Sequence, residues 1–175
     1  MPRRNEAHEA VIESLTEALL QMLEQKPLAE INITELCGHA GVSRISFYRN
    51  FESVEDILVQ KLTACTDLWW QEFSQREDED FLSSFWDELL DQYRKNSRLI
   101  LLLSQNNATG ILKQHICSCC NPALEKSDEA GYLRAVLAGA IYGLVDEWVR
   151  RGMKELPEGF GVQTLRSVYM TLGED

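Results

Sequence analysis

The side chains best suited to binding chemistry lie between Glu35 and Glu52, a stretch that contains no carboxylate. Four polar residues in it fall on the outward face of a predicted short helix of about eight residues: Arg44, Ser46, Tyr48 and Arg49. Arginine can donate two hydrogen bonds to O6 and N7 of guanine, and serine and tyrosine hydroxyls suit phosphate oxygens. This combination predicts a surface that contacts nucleic acid. The alternative is an ordinary solvated face, which is the usual role of exposed charge.

Local signals place this short helix after a tight turn. Gly41 supplies the turn because glycine adopts a positive φ without a steric cost, and Ser43 is a natural N-cap for the helix that follows. Before the turn, Asn32 and Glu35 form a capping-box pattern, with Glu35 reaching back, that predicts another short helix. The inward face of the second helix is apolar: Val42, Phe47 and Phe51. Two short helices joined by a glycine turn are typical of a helix-turn-helix that reads DNA.

The rest of the chain has helical spacing of apolar residues and no alternating strand pattern, so we expect an all-α fold. A first helix is expected to end near Lys26-Pro27, the longest to run over residues 127–153, and a final one to span residues 162–172. We place a three-helix head containing the helix-turn-helix DNA-binding domain at residues 1–52. A helical body for ligand binding and dimerisation follows at residues 53–175.

The chain resembles the TetR/AcrR family of bacterial transcriptional regulators over residues 7–62. The matching residues keep the family's order and spacing: Ile33, Leu36, Ala40-Gly41-Val42-Ser43-Arg44, Phe47-Tyr48-Arg49, Phe51, Ser53 and Glu55-Asp56-Ile57-Leu58. The resemblance implies a DNA-binding head and a fourth helix that links it to an all-helical body. It also implies a pocket for a small inducer in that body and a dimer interface in the last two long helices.

The same resemblance implies roles for individual residues. Thr34, Arg44, Ser46 and Arg49 would lie at or near base edges, and Tyr48 would meet the DNA backbone. The full predicted DNA-binding set is Thr34, Ser43, Arg44, Ser46, Tyr48, Arg49 and Asn50. Two positions depart from the family pattern: Val54 stands where a phosphate-binding lysine is frequent, and Asn50 where histidine is common. Both departures concern affinity for DNA rather than the fold.

The segment 135–145 is apolar on nearly every side. It is too short to cross a bilayer, and a helix that is hydrophobic all round must be covered all round. In a small body, one side would face the chain's own core and the other a second subunit, approached closely at Ala138, Gly139, Ala140 and Gly143. We therefore expect a homodimer. The central helix of a monomer is the alternative.

Aromatic residues are abundant in the body, and most are expected to form packed core. Some are expected to line the inducer pocket, because such pockets are apolar with a few polar groups that orient the ligand. The candidates each combine an apolar body with a polar tip: Trp86, Tyr93, His115 and Tyr142.

The segment 115–120 offers a competing chemistry, because it contains a Cys-x-x-Cys pattern and a histidine. A thiol- or metal-responsive sensor using Cys117 and Cys120 would be one use of it. On a helix, however, Cys119 and Cys120 point about 100° apart, so these groups cannot all converge on one ion. We predict unreactive, partly buried thiols and no bound metal.

The net charge of −11 speaks against a general polyanion binder. A local basic surface remains compatible with it, because exposed charges act within a Debye length of about 10 Å. Residues 1–62 carry six Lys/Arg and ten Asp/Glu, so even the head is net negative. Five cysteines without a signal-peptide pattern indicate a cytoplasmic protein with reduced thiols and no membrane association.

Catalytic motifs are missing from the sequence: it has no glycine-rich phosphate loop, nucleophile elbow or paired metal-binding histidines. We therefore expect neither an enzyme nor a cofactor. The sequence instead predicts a ligand-responsive repressor that binds a palindromic double-stranded operator as a homodimer and is released by a small-molecule inducer. A co-regulator of the same fold that acts through a protein partner is the alternative, beside the thiol or metal sensor.

Overall fold

The structure, a computed structural model, describes residues 2–73, 75, 81–119 and 128–154. These residues form eight α-helices and no β-strand, which confirms the all-α prediction. In chain order the helices are α1 (Pro2–Leu23), α2 (Ile33–Ala40), α3 (Arg44–Tyr48), α4 (Val54–Phe73), α5 (Phe81–Lys95), α6 (Ser97–Gln105), α7 (Thr109–Cys119) and α8 (Asp128–Arg150). The helix predicted over residues 162–172 lies outside the described residues.

The first four helices share one core. Helix α1 packs against α2 and α4, and α2 packs against α3. Each helix contributes fully buried side chains to this core: Leu15, Leu19, Leu36, Phe47, Leu58 and Leu62. Because α2 and α3 are far shorter than helices that are stable alone in water, this packing holds them in place rather than their helical propensity.

Helix α4 connects the first three helices to the rest of the chain. It is continuous over 20 residues, a length of about 30 Å, and it packs against α1, α5 and α7. Its N-terminus is capped twice: Ser53 Oγ accepts from the Asp56 N–H at 3.2 Å, and Asp56 Oδ2 accepts from the Glu52 N–H at 3.0 Å. Near its other end, the Trp69 and Phe73 rings lie with their centroids 5.9 Å from that of Phe85 on α5.

A second connection joins the body to α1 through α6. Arg98 on α6 donates to the carboxylates of Glu17 and Glu24 on α1, each at 2.8 Å. The Asn106 side-chain amide donates to the Leu23 carbonyl at 3.2 Å. Helix α1 therefore contacts the body at two places, α4 and α6.

Helices α6, α7 and α8 pack against one another, and α7 also packs against α4. Val145 and Trp148 of α8 are buried there, and the Trp148 indole N–H donates to the Lys154 carbonyl at 2.6 Å. Within the described ranges, every helix is either too short or too polar to cross a lipid bilayer.

Candidate functional site

The turn between α2 and α3 depends on Gly41. This residue ends α2 with φ 65° and ψ 27°, the left-handed region in which side chains other than glycine are strained. The chain reverses there while Val42 N–H donates back to the Cys37 carbonyl at 3.0 Å. A substitution at Gly41 would therefore strain the turn that sets the direction of α3.

The caps on both sides of the turn form largely as expected. Asn32 Oδ1 accepts from the Glu35 N–H at 3.0 Å, which begins α2. The Glu35 carboxylate, expected to return to the Asn32 backbone, accepts instead from Lys26 Nζ. Ser43 Oγ accepts from the Ser46 N–H at 3.1 Å, which begins α3. Helix α3 has five residues, fewer than the eight expected.

Helix α3 is held by its inward aromatic side chain. Phe47 is completely buried, and its ring centroid lies 5.9 Å from that of Phe51 and 5.4 Å from that of Tyr48. The Tyr48 ring meets the Phe47 ring edge-on at an interplanar angle of 89°. The fixed Phe47 ring therefore also limits where the exposed Tyr48 ring can lie.

The predicted DNA-binding residues do not all present their side chains outward. Five of them are exposed: Thr34, Ser43, Arg44, Tyr48 and Arg49. Within the described residues, Arg44 and Arg49 form no ion pair, so their positive charges are available to a ligand. Ser46 and Asn50 are half-buried, and their side chains, like that of Ser43, form hydrogen bonds within the protein.

Those three residues, Ser43, Ser46 and Asn50, form local contacts around α3. The Ser43 and Ser46 hydroxyl oxygens lie 2.9 Å apart. The half-buried Asn50 donates from Nδ2 to the Ser46 carbonyl at 2.6 Å, and the backbone carbonyl of Asn50 accepts from Gln60 Nε2 at 3.0 Å. Asn50 therefore connects α3 to α4 and helps to fix the position of α3, which carries the exposed residues.

Two further residues change the description of this surface. Ile45 is 68% exposed on α3, although it is not among the predicted contacts. Helical spacing would have indicated it, because Ile45 lies about 200° around the helix from buried Phe47. Val54, at the position where a phosphate-binding lysine is frequent in the resembled family, is buried in the core. We refer to exposed Arg44, Ile45, Tyr48 and Arg49 as the α3 surface.

The predicted ligand-binding residues lie on three helices. Trp86 and Tyr93 are buried on α5, His115 is buried on α7, and Tyr142 is half-buried on α8. The Trp86 indole N–H is buried and has no hydrogen-bond acceptor among the described residues. A buried donor of this kind normally has a partner, so Trp86 is the member of the set best placed to bind an acceptor atom of a ligand. Lys113 Nζ lies 6.0 Å from the centroid of the Tyr142 ring.

His115 has a partner within the protein. Its Nε2 atom lies 3.1 Å from the Thr66 hydroxyl, which connects α7 to α4. Burial lowers the pKa of His115 below the ordinary histidine value, and the nearby negative charge of Asp67 opposes this effect. Folding therefore favours the neutral form of this histidine.

This burial predicts a specific decrease of stability in acid. Below the unfolded-state pKa of about 6.5, the unfolded chain takes up a proton at His115 more readily than the folded chain does, because the folded-state pKa is lower. Acid therefore favours the unfolded state, and the melting temperature should fall between about pH 7.5 and about pH 5.5. His115→Gln, which keeps a hydrogen-bonding group for Thr66, should show a smaller fall in thermal melts. An equal fall in both proteins would show that His115 is not responsible.

The described cysteines of α7 are Cys117 and Cys119. No group of three or more potential metal ligands occurs in the part of the chain that the structure describes, and Cys120 lies outside that part. Cys117 and Cys119 are both exposed residues rather than partly buried as predicted, because Cys117 lies on the outer side of α7 and Cys119 is its last residue. The Cys119 Sγ atom nevertheless lies 3.5 Å from His115 Nε2. Although the residue as a whole is exposed, partial desolvation of its thiol beside His115 and Thr66 raises the pKa of Cys119, with a smaller opposing effect from the Thr66 hydroxyl.

We expect Cys119 to react slowly with alkylating agents. Only the thiolate is nucleophilic, and a raised pKa reduces its fraction at neutral pH. Iodoacetamide followed by mass spectrometry should label Cys119 more slowly in the folded protein than in the protein unfolded by urea. Labelling of folded Cys119 at or above the unfolded rate would instead indicate an activated thiol and favour a thiol sensor.

Helix α8 has one face in the core and one in solvent. Ala138, Ile141 and Val145 are buried. The opposite side is apolar and exposed, and we call it the α8 surface: Tyr132, Val136, Leu137, Gly139 and Gly143. A Cβ atom added at Gly139 or Gly143 would meet nothing within 4 Å. Ala138, predicted to face a second subunit, packs instead into the chain's own core.

The fold is similar to that of Lin0861 from Listeria innocua. The two structures superpose with a TM-score of 0.72 over 94% of this chain and 91% of the Listeria protein. Their sequences are 18% identical, so the likeness concerns the fold alone. No protein-family model and no curated protein matches the chain.

Proposed function

We propose that the chain is a DNA-binding transcriptional regulator, a repressor similar to those of the TetR/AcrR family. The observation that carries the proposal is the α3 surface: Arg44, Tyr48 and Arg49 are exposed on a short helix fixed by buried Phe47. Helix α2, the Gly41 turn and α3 are proposed to act as a helix-turn-helix, with α3 in the major groove. Residues 1–52 would then be the DNA-binding domain.

The proposed contacts divide into two kinds. Arg44 and Arg49 would donate to guanine edges, which distinguish one sequence from another. The Tyr48 hydroxyl would bind the DNA backbone, and exposed Thr34 would lie near the bases. Both contacts would fix the position of α3 on the DNA. Ser43, Ser46 and Asn50 would support these contacts through the bonds they form around α3.

A homodimer is part of the proposal. The α8 surface leaves Tyr132 76% and Val136 70% exposed, and contiguous apolar area of this kind marks interaction sites. A second copy of the same surface would cover it, with Gly139 and Gly143 allowing close approach of the two helices. Two α3 helices held about 34–36 Å apart would then match two half-sites of a palindromic operator.

The small-molecule inducer is proposed to bind in the body, where the Trp86 N–H lacks an acceptor among the described residues. Helix α4 packs against α5 and α7 of the body and against α1 of the head, so a ligand that moved it would move the head. A change in the separation of the two α3 helices would release the operator, because half-site spacing is fixed by the groove repeat. Neither a cofactor nor an enzymatic activity is included in the proposal.

The proposed function is tested by selecting bound sequences from a random duplex library with the full-length protein. We expect enrichment of a palindromic sequence and retardation of that sequence in gel-shift titrations. Affinity should fall only gently with rising salt, because residues 1–62 carry six basic against ten acidic residues and two of the basic ones, Arg44 and Arg49, are assigned to bases, so that few phosphates would be neutralised. An absence of enrichment and retardation at every salt concentration would contradict DNA binding.

A co-regulator acting through a protein partner is the second candidate. The observation in its favour is the charge, because the net charge of the chain is −11. Lys26, which precedes α2, is already paired with Glu35 and therefore less available to phosphate. The same selection distinguishes the two, since a co-regulator of this kind would enrich no DNA sequence.

A further inference from the structure

Ile45 is an apolar side chain on a surface that is otherwise polar and cationic. Six large hydrophobic residues are exposed among the described residues: Ile45, Tyr48, Trp70, Tyr132, Val136 and Leu137. The last three belong to the α8 surface, which a second subunit would cover. Ile45 lies instead on the α3 surface, directly after Arg44 and three residues before Tyr48, at 68% exposure.

An exposed isoleucine at this position brings no benefit to the isolated fold. It is β-branched, which lowers helical propensity, and α3 has five residues in which to form a helix. Its side chain also leaves apolar area exposed to water, and burying that area would be favourable. The side of α3 that packs into the core of the head is the opposite one, which carries buried Phe47. We therefore look for the role of Ile45 in a contact between α3 and a binding partner.

We propose that Ile45 packs against the C5-methyl group of a thymine in each operator half-site and so determines specificity at that base pair. The inference rests on the proposed function and adds a chemical group to it. The major groove displays hydrogen-bond donors and acceptors at every base pair but only one apolar group, the thymine methyl. An isoleucine between hydrogen-bonding side chains is the complement of that group.

The neighbouring contacts fix where this thymine lies. Ile45 and Tyr48 are three residues apart, so their side chains are neighbours on the helix, and the Phe47 ring restrains Tyr48. The Cα atoms of Arg44 and Ile45 are about 3.8 Å apart, close to the DNA rise of about 3.4 Å per base pair. The thymine contacted by Ile45 should therefore lie within two base pairs of the guanine contacted by Arg44.

The test removes the methyl group from the DNA and the side chain from the protein. The operator selected with the full-length protein is resynthesised with each half-site thymine replaced in turn by deoxyuridine, which keeps every hydrogen-bonding group. At one position the wild-type affinity should fall about fourfold per half-site, and about fifteenfold with both half-sites changed, the value of one buried methyl group. A thymine outside the half-sites is the control for the replacement.

The same titrations with Ile45→Ala complete a double-mutant cycle, in which one change is made in the DNA and the other in the protein. This variant should bind the thymine operator about as weakly as wild type binds the deoxyuridine operator, and it should no longer distinguish the two. Alanine is the stronger helix former, so circular dichroism should show an intact fold.

Three results would overturn the inference. Deoxyuridine without effect at every half-site thymine would show that no methyl group is contacted. A deoxyuridine effect that persists in Ile45→Ala would assign the methyl contact to another residue. A failure to select any operator would overturn the proposed function and this inference with it, whereas the first two results leave the proposed function standing.

Discussion

Gly143→Glu should convert the proposed dimer into monomers and abolish specific DNA binding. In a symmetric interface the substituted residue occurs twice, so two carboxylates would enter apolar surroundings near the two-fold axis. Leaving a buried charge unpaired costs about 3–5 kcal/mol. Each monomer would then hold one half-site alone, without the second half-site to strengthen binding.

The fold of the single chain should tolerate this substitution. A Cβ at Gly143 meets nothing within 4 Å, the residue is exposed on α8, and replacing glycine inside a helix removes a propensity cost of up to about 1 kcal/mol. Disruption of the dimer can therefore be separated from unfolding. Thermal melts of the variant should show a cooperative transition.

Sedimentation velocity at micromolar concentration measures the outcome. The matched control is Gly110→Glu, which introduces the same side chain at another exposed helical glycine with open space around it, on α7. This control should sediment as the wild type does. A wild-type protein that sediments as a monomer, or a Gly143→Glu variant that remains a dimer, would contradict a dimer through the α8 surface.

The local architecture of α2 and α3 could be predicted because its signals are local. The Asn32 and Ser43 caps and the left-handed Gly41 depend on residues within three or four positions of one another. Each follows from the chemistry of a single side chain or of its absence. The inward placement of Phe47 follows equally from helical spacing.

Contacts between distant parts of the chain could not be predicted in the same way. Arg98 bonds to Glu17 over 81 positions, and Thr66 meets His115 over 49. No spacing rule connects residues so far apart, since their meeting depends on how whole helices pack. The partner of His115 and the second link between α1 and the body therefore emerge from the three-dimensional structure.

The α3 surface shows a third case, in which residue type and helical spacing point in different directions. Arginine, serine and tyrosine suggest contact with DNA, whereas isoleucine at position 45 suggests core. Val54 shows the opposite case: it is buried, whereas the lysine that is frequent at this position in the resembled family would indicate a surface site. In both cases the decisive quantity is which side of a helix faces the core, a property set by packing against α1 and α2.

Arg44→Ala should reduce operator affinity sharply while leaving binding to random DNA nearly unchanged. Removing one bidentate arginine–guanine interaction costs about 1–3 kcal/mol. A dimer makes this interaction twice, so the selected operator should bind about thirtyfold more weakly or worse, at about 1.4 kcal/mol per tenfold. Because Arg44 is exposed and forms no ion pair within the described residues, its removal should not disturb the head.

The comparison with random DNA distinguishes base recognition from attraction to phosphate. Arg151→Ala removes the same charge from an exposed arginine after α8 that is paired with Glu147, and it should leave operator affinity unchanged. If Arg44 binds a base, the slope of log affinity against log salt stays the same in Arg44→Ala. If it binds phosphate, the slope becomes shallower by about one for each phosphate that is no longer neutralised. Equal weakening on operator and random DNA, with a shallower slope, would make Arg44 a phosphate-binding residue. Sequence discrimination on the α3 surface would then have to come from Arg49 and Ile45.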